Sequence, residues 1–360
     1  MFELQILLFS LTSIYVGILS KLFFRSKSKN FESENKDFSV IIAFKNEAEN
    51  LPILIDSLKK VEYPNSMFEI ILIDDNSTDS SFKIATELIS NKSNFRLLKA
   101  NNKVLPRKKG ALQLAIENSN FSHLVFTDAD SQPNKNWLNS ISNSFNNFDF
   151  IIGFAPLFPT SEFSSKYATY ENYKNNILNL ISVEIGIPTS AIGRNLAIKK
   201  DIFFKLGGYY ETMEKETGDD DLLLRQAIKN KVKIGFVQNE ESVVNSHVSL
   251  SWKELFVKKA RHVSTSHNYL LKQKLFILFW HLLNSILLFS PLLLFVEKSN
   301  LVFIPFVIKL IMDRMVYFKY SNIFNLKNTI ATALFFDFLQ IFLLPINFIN
   351  SFLIKTKWKD

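Results

Sequence analysis

The sequence has no cysteine, and its 360 residues include only 9 glycines and 10 prolines. The first absence excludes a disulfide-stapled scaffold, a zinc ribbon and a thiol enzyme, all of which are built on sulfur. The second excludes collagen-like and low-complexity chains. What is abundant is apolar: hydrophobic residues make up 47%, phenylalanine alone occurs 36 times, and charged residues reach only 21%. The length allows roughly one to three domains and a sizeable core. The net charge is +8, from 42 Lys+Arg against 34 Asp+Glu. Such a balance suits nucleic acid, an anionic membrane surface or phosphorylated substrates. The placement of the apolar and basic residues decides between them.

Leu4 to Ser20 is uncharged and mostly apolar, and Lys21, Arg25, Lys27 and Lys29 follow it. At about 1.5 Å per residue this is about one bilayer crossing. A cleaved signal carries its positive charge first and a small-residue site afterwards. Here the order is reversed, so residues 1–24 read as an uncleaved anchor and 25–37 as a tether. The positive-inside rule then puts the following domain in the cytoplasm. Three more apolar stretches lie near the C-terminus. Leu275 to Val296 contains His281 and Asn284. Leu301 to Met312 is interrupted by Lys309 and runs into Asp313 and Arg314. Thr329 to Ile354 is interrupted by Asp337 and Pro345. Region 275–354 is therefore expected to hold two or three spans, three being favoured if the middle stretch extends to Tyr320. A basic tail, 355–360, closes the chain. An acid inside a membrane run is a functional candidate or a structural partner; for Asp337 we favour pairing with His281 or Arg314. The basic residues flank membrane runs and form no stripe on the soluble part, so no nucleic-acid partner is expected.

Residues 38–250 have another rhythm. Phe38–Ala43, Phe68–Ile73, Phe95–Leu98 and His123–Thr127 read as strands. Glu47–Lys60, Asp79–Ser90 and Lys109–Asn118 read as helices, the first with Leu51, Leu54, Ile55 and Leu58 at helical spacing. This alternation implies an α/β fold with a doubly wound, mostly parallel sheet, which binds ligands beyond the C-terminal ends of its strands. The polar clusters stand at those ends: Lys45-Asn-Glu47, Asp74-Asp-Asn-Ser-Thr-Asp79 and Asp128-Ala-Asp130.

Each cluster admits a plain reading and a chemical one. Asp128 and Asp130 share a face in extended backbone. They either end a strand in solvent or hold a hard divalent cation such as Mg2+ or Mn2+, completed by water and phosphate oxygens. Asp74 and Asp75 open a turn that also caps the next helix; two acids at a parallel strand end leave one for a nucleotide base. Arg107-Lys-Lys109 is a basic turn or a diphosphate site. Asp219, Asp220 and Asp221 stand side by side. The plain reading is an acidic helix start favoured by the macrodipole; the chemical one is a carboxylate whose pKa is raised by crowding, as a general base requires. Segment 251–274 is a basic amphipathic stretch with Lys258, Lys259, Arg261 and His262, suited to lipid headgroups or to closing over phosphates.

In order, these motifs resemble a membrane-bound family 2 glycosyltransferase with a GT-A domain, over about Phe38 to His267. Ser39-Val-Ile-Ile-Ala-Phe-Lys-Asn-Glu47 is similar to the family's opening strand and turn. Ile73-Asp-Asp-Asn-Ser-Thr-Asp79 is similar to its nucleotide-binding turn, which implies that Asp75 meets the base. Lys108-Lys-Gly-Ala-Leu112 resembles the G-K-x-x-A-L segment, with Arg107 where Gly is usual. Thr127-Asp-Ala-Asp130 resembles the D-x-D metal motif. Gly193-Arg-Asn-Leu-Ala197 and Leu206-Gly-Gly-Tyr209 resemble the acceptor side. Asp219 falls at the catalytic Asp of E-D-x-D-L, with Gly218 in place of Glu and Asp220 as a rival base. Lys258-Lys-Ala-Arg-His262 stands where processive relatives have Q-x-x-R-W; the Lys and His weaken a processive reading. His247 is a further metal-ligand candidate, though a lone His is more often structural.

The resemblance implies inverting transfer from a nucleotide-sugar donor to a lipid-linked or membrane acceptor, assisted by Mg2+ or Mn2+. Asp219 or Asp220 would be the base and Asp128 and Asp130 the metal ligands. Glu47, Asp75, Lys108, Lys109, Arg194, Asn195, Arg261 and His262 would contact substrate. It places the protein in a bacterial inner membrane with a cytoplasmic catalytic domain, in glycolipid or envelope polysaccharide synthesis. Two other readings compete with it. A nucleotidyltransferase wants a Gly-rich phosphate loop after the first strand, and Ala43–Ala48 has no Gly. A non-catalytic nucleotide-sugar binder does not explain why Asp75, Asp128, Asp130 and Asp219 all persist.

Overall fold

The computed structural model describes residues 2–24, 35–215, 218–248, 251–326 and 330–354. Most of the expected tether and the whole basic tail lie outside them. Among these residues ten strands are formed: β1 (Phe38–Phe44), β2 (Phe68–Asp74), β3 (Phe95–Lys99), β4 (His123–Phe126), β5 (Ser131–Pro133), β6 (Phe150–Gly153), β7 (Leu157–Pro159), β8 (Leu196–Lys199), β9 (Ile234–Val237) and β10 (Val244–Val248). The helices are α1 (Phe2–Phe24), α2 (Leu51–Lys59), α3 (Ser81–Ile89), α4 (Arg107–Glu117), α5 (Trp137–Ser144), α6 (Phe163–Glu184), α7 (Lys200–Lys205), α8 (Asp219–Lys229), α9 (Trp252–Ser266), α10 (Leu271–Phe289), α11 (Leu294–Glu297), α12 (Phe303–Tyr320) and α13 (Ile330–Leu353).

The main sheet has the order β3-β2-β1-β4-β8-β6-β9. β1 pairs in parallel with β2 and β4, and β2 with β3. β8 runs antiparallel to both β4 and β6, and β9 is parallel to β6. The sheet is thus mostly parallel, with one reversed strand that periodicity did not disclose. Every residue of β1 and β2 is buried, as expected of strands covered on both faces. Alternate residues feed separate cores. Ile41, Ala43, Ile71 and Ile73 join α4 and α6 on one side, while Val40, Ile42, Ile70 and Leu72 join α2, α3 and α5 on the other. A small second sheet, β5-β10-β7, sits beside the ends of these strands.

The first core does not stop at the domain. Tyr15, Leu19 and Leu22 of α1, Trp280 and Leu283 of α10, Tyr317 of α12 and Phe336 of α13 belong to the same apolar cluster as the sheet. Among the described residues, three helical stretches are long and apolar enough to cross a membrane: Glu3–Phe24, Leu271–Glu297 and Ile330–Leu353. The intervening α12 is not one of them. It carries Lys309, Asp313, Arg314 and Lys319 within 18 residues, and Lys309 and Asp313 are buried. The preference for three C-terminal spans therefore gives way to two candidates and a polar helix between them. The partner of Asp337 is also only partly as expected: Tyr170 donates to it at 3.0 Å, the Lys174 ammonium lies 3.1 Å away, and Arg314 stands at 3.9 Å.

Candidate active site

Strands β1, β2 and β4 deliver their polar residues to one sheet edge, and α8 approaches it from the second half of the domain. Asp74 uses its carboxylate to cap the following turn, accepting from the Ser77 N–H at 3.0 Å. Asp75 hydrogen-bonds through its N–H to the Phe44 carbonyl at 2.8 Å, and its buried carboxylate pairs with Lys103. Lys103 went unnoticed in the sequence because no motif marks it. Glu47 ends the β1 turn, where its N–H donates to Ser81 Oγ at 2.7 Å and its carboxylate accepts from Asn50 at 2.6 Å. It is close enough to Asp130 to repel it.

The centre is a narrow cleft lined by Lys108, Thr127, Asp128, Tyr209, Asp219 and Asp220, among others. Lys108 Nζ lies 2.8 Å from Asp128 Oδ1 and 3.5 Å from Asp219 Oδ2. Burial opposes its charge, but the two acids outweigh that and hold the ammonium strongly protonated. Burial likewise works to raise Asp128, and Lys108 overcomes it, holding the carboxyl below the usual range. Arg194 stands near Asp130, Asp128 and Asp220, its basicity lowered by burial. Its guanidinium donates to the Ala155 carbonyl, while Nε is buried without a hydrogen-bond partner. α9 brings Lys258 to face Arg194 and Asp130; burial, then Arg194, push its pKa down to about 8. Arg261 belongs to the same cationic group, and His262 beside it is exposed.

The three adjacent acids of α8 separate by role. Asp221 is spent on structure: Oδ1 accepts from Ser190 Oγ at 2.8 Å and from the Ala191 N–H at 2.9 Å, and Oδ2 accepts from Tyr269 at 2.5 Å. Asp220 accepts from the Gly193 N–H at 2.8 Å and from the N–H of Asp221. The expected rise in pKa falls on these two, caused first by burial and, for Asp220, by the neighbouring carboxylates. Asp219 is the acid that faces Lys108 and, across it, Asp128. Tyr269 and Ser190, which hold this arrangement, were missed by sequence reading because they lie 48 and 31 residues from Asp221.

Two expected substrate contacts are turned elsewhere. Lys109 is buried, with its ammonium donating to the Thr212 carbonyl at 2.9 Å and the Lys215 carbonyl at 2.8 Å. Helix geometry puts consecutive side chains on different faces, so Lys108 and Lys109 cannot share a ligand. Asn195 is also committed. Its amide donates to the Phe154 and Ser242 carbonyls at 2.7 and 2.8 Å, and its Oδ1 accepts from Trp137 at 3.0 Å. His247 lies on β10 with its ring edge-on to Phe158.

Both departures from the family motifs have a backbone meaning. Gly218 precedes α8 with φ 80°, and a Cβ there would lie 2.3 Å from Thr265 of α9. Glycine is therefore the residue that lets α9 close on α8. Arg107 is the reverse: it opens α4 with φ 56°, a conformation that costs an L-residue about 1–2 kcal/mol. Among the described residues no three His, Asp or Glu side chains are grouped to hold a metal by themselves. Asp128 and Asp130 supply a hard oxygen set of the kind that Mg2+ or Mn2+ completes with water and phosphate oxygens, so the residues fit a substrate-bridging ion.

Residues 39–204 match the family model described as glycosyl transferase family 2. The chain carries a family 2 glycosyltransferase domain. A β-monoglucosyldiacylglycerol synthase of a Nostoc species is 31% identical over 108 residues, 30% of this chain and 23% of that one. Glycosyltransferase AglE of Haloferax volcanii is 31% identical over 103 residues, 28% of this chain and 32% of that one. The matched stretch is thus about a quarter to a third of those relatives' length. A solved mannosyltransferase of Pyrobaculum calidifontis, in complex with GDP-Man and Mn2+, superposes with a TM-score of 0.57 at 13% identity, covering 95% of this chain and 97% of that one. At that identity the likeness is one of fold, and it extends beyond the glycosyltransferase domain to the apolar helices.

Proposed function

We propose that the protein transfers a sugar, with inversion, from a nucleoside-diphosphate sugar to the hydroxyl of a lipid-linked or membrane-embedded acceptor. The observation that carries this reading is the convergence of Asp128 and Asp219, from separate parts of the domain, on the single ammonium of Lys108. Asp75 would receive the base at the β2 edge. Asp128 and Asp130 would hold Mg2+ or Mn2+ together with the diphosphate, whose developing charge such an ion offsets. Lys108, beside Arg194 and Lys258, would bind the diphosphate. The acceptor oxygen attacks the anomeric carbon from the face opposite the diphosphate, the bond to the diphosphate oxygen breaks, and Asp219 takes the hydroxyl proton. A lipid acceptor is supported by the three apolar helices and by the glycolipid product named for the Nostoc relative. The basic residues after α1 support a cytoplasmic domain.

The test is donor binding and transfer by the full chain in detergent. UDP-, GDP- and dTDP-sugars are compared by thermal shift with and without Mn2+. One donor is expected to give a Mn2+-dependent shift. Asp219→Asn should keep that shift and lose about 10²–10⁴ in transfer rate. A variant that loses donor binding yet turns over normally when saturated would contradict the assignment.

A further inference from the structure

A second, narrow cleft lies away from the catalytic one and shares no lining residue with it. It is enclosed by α6, α10, α12 and α13. Lys174, His281, Lys309, Asp337 and Gln340 belong to its polar side, and Leu288 and Leu344 to its apolar side. We propose that this cleft binds the headgroup of one anionic membrane lipid, through a phosphate and a neighbouring hydroxyl.

Three observations point to that chemistry. The first is charge. Among the described residues, Lys174, Lys309 and Arg314 meet two carboxylates here: Lys309 lies 2.5 Å from Asp313, and Lys174 lies 3.1 Å from Asp337 and 3.7 Å from Asp313. Three cations against two acids leave one positive charge in excess in a buried cluster, where an uncompensated charge is costly. A phosphodiester carries the single negative charge required. The second is an orphan acceptor. Asp337 is 5% exposed and lines the cleft; its Oδ2 faces the Arg314 guanidinium at 3.9 Å but accepts no hydrogen bond. A phosphate does not satisfy it; a hydroxyl donor does. The third is placement. α10 and α13 belong to stretches long and apolar enough to cross a membrane, and Leu282, Phe342 and Ile346 on them are exposed. A ligand with a charged end and acyl chains fits such a boundary better than a free ion.

The cleft also reaches the catalytic side through α6. Glu171, one helical turn from Lys174, pairs with Lys259 at 2.7 Å, next to the Lys258 that faces Arg194 and Asp130. A lipid held on Lys174 therefore bears on the helix that carries α9.

Full-length protein in detergent is titrated with phosphatidylglycerol, phosphatidylcholine and inorganic phosphate, and bound lipid is counted by native mass spectrometry. One phosphatidylglycerol should bind at least tenfold more tightly than phosphatidylcholine, and phosphate should not displace it. Lys309→Met should weaken retention at least tenfold. Gln340→Trp fills the cleft from a partly exposed position without breaking an ion pair and should do the same. Equal retention of the two lipids, undiminished retention in Gln340→Trp, or full displacement by phosphate would each overturn the proposal. The readout is bound mass, so it stands or falls independently of the glycosyl-transfer reading.

Discussion

The hydroxyl of Tyr269 donates to Asp221 Oδ2 at 2.5 Å, tying the corner between α9 and α10 to the first turn of α8. That turn carries Asp219, so the membrane-proximal corner sets the position of the acid that faces the cleft. Tyr269→Phe leaves a buried carboxylate short of a donor, which costs about 1–3 kcal/mol. We expect a lower melting temperature, a slower transfer rate and an unchanged donor Kd. A melting temperature equal to wild type would show that this hydrogen bond does not hold α8.

Lys108 and a divalent ion compete for Asp128. Lys108→Met removes the cation that holds the Asp128 carboxyl low, a contribution present above the ordinary carboxylate pKa and lost as pH falls through the depressed one. At pH 7 the apo variant should be less stable by about 1 kcal/mol, a modest figure because Asp128 is partly exposed. Mn2+ should then raise its melting temperature by more than it raises that of wild type. An equal or smaller Mn2+ effect would remove the competition.

Asp130→Ala tests the ion itself. Mn2+-dependent donor binding should weaken about tenfold or more, and EDTA-treated wild type should match the untreated variant. Donor affinity that EDTA leaves unchanged in wild type would argue against an ion at this cleft.

Arg107→Gly should stabilise the chain. The left-handed backbone at 107 penalises arginine by about 1–2 kcal/mol, from which the greater freedom of glycine in the unfolded chain subtracts. The net gain is about 0.5–1 kcal/mol, visible as a raised thermal midpoint in detergent. A lowered midpoint would mean that the arginine side chain outweighs the strain.

Lys109 gives a pH signature. Burial lowers its pKa to about 8, against about 10.4 unfolded. Between those values the unfolded chain binds more protons, so stability from this group rises with pH from about 8 to about 10.4. Below pH 8 the lysine is charged in both states and the penalty is complete. The stability of wild type relative to Lys109→Met should therefore increase across that window. A flat difference would place the ammonium in a more open setting.

The sequence revealed strands better than it revealed destinations. β1 and β2 were legible to within a residue because apolar runs bounded by polar turns have few other readings. Asp75, Asp128 and Asp219 stand out because acids at strand and helix ends carry a cost that needs a use; the structure brings Asp128 and Asp219 to one cleft and pairs Asp75 with Lys103. Lys109 and Asn195 were misread because each stands in a motif beside a residue that does face the cleft. Which of two neighbours turns inward depends on carbonyls supplied by residues 212, 215, 154 and 242, far along the chain. The reversed strand β8 was hidden for the same reason: periodicity reports a strand and its faces, not its direction.

Tyr15 of α1 donates to Asp313 of α12, 298 residues later, and both helices share an apolar cluster with the central sheet. A ribosome must therefore synthesise most of the chain before the first helix meets its partner. Contacts so distant in sequence form late and leave apolar surface waiting. Nascent chains cut short before α12 should be open to proteases even when the glycosyltransferase domain is complete, and the final sixth of the chain acts as the closing step of its biogenesis.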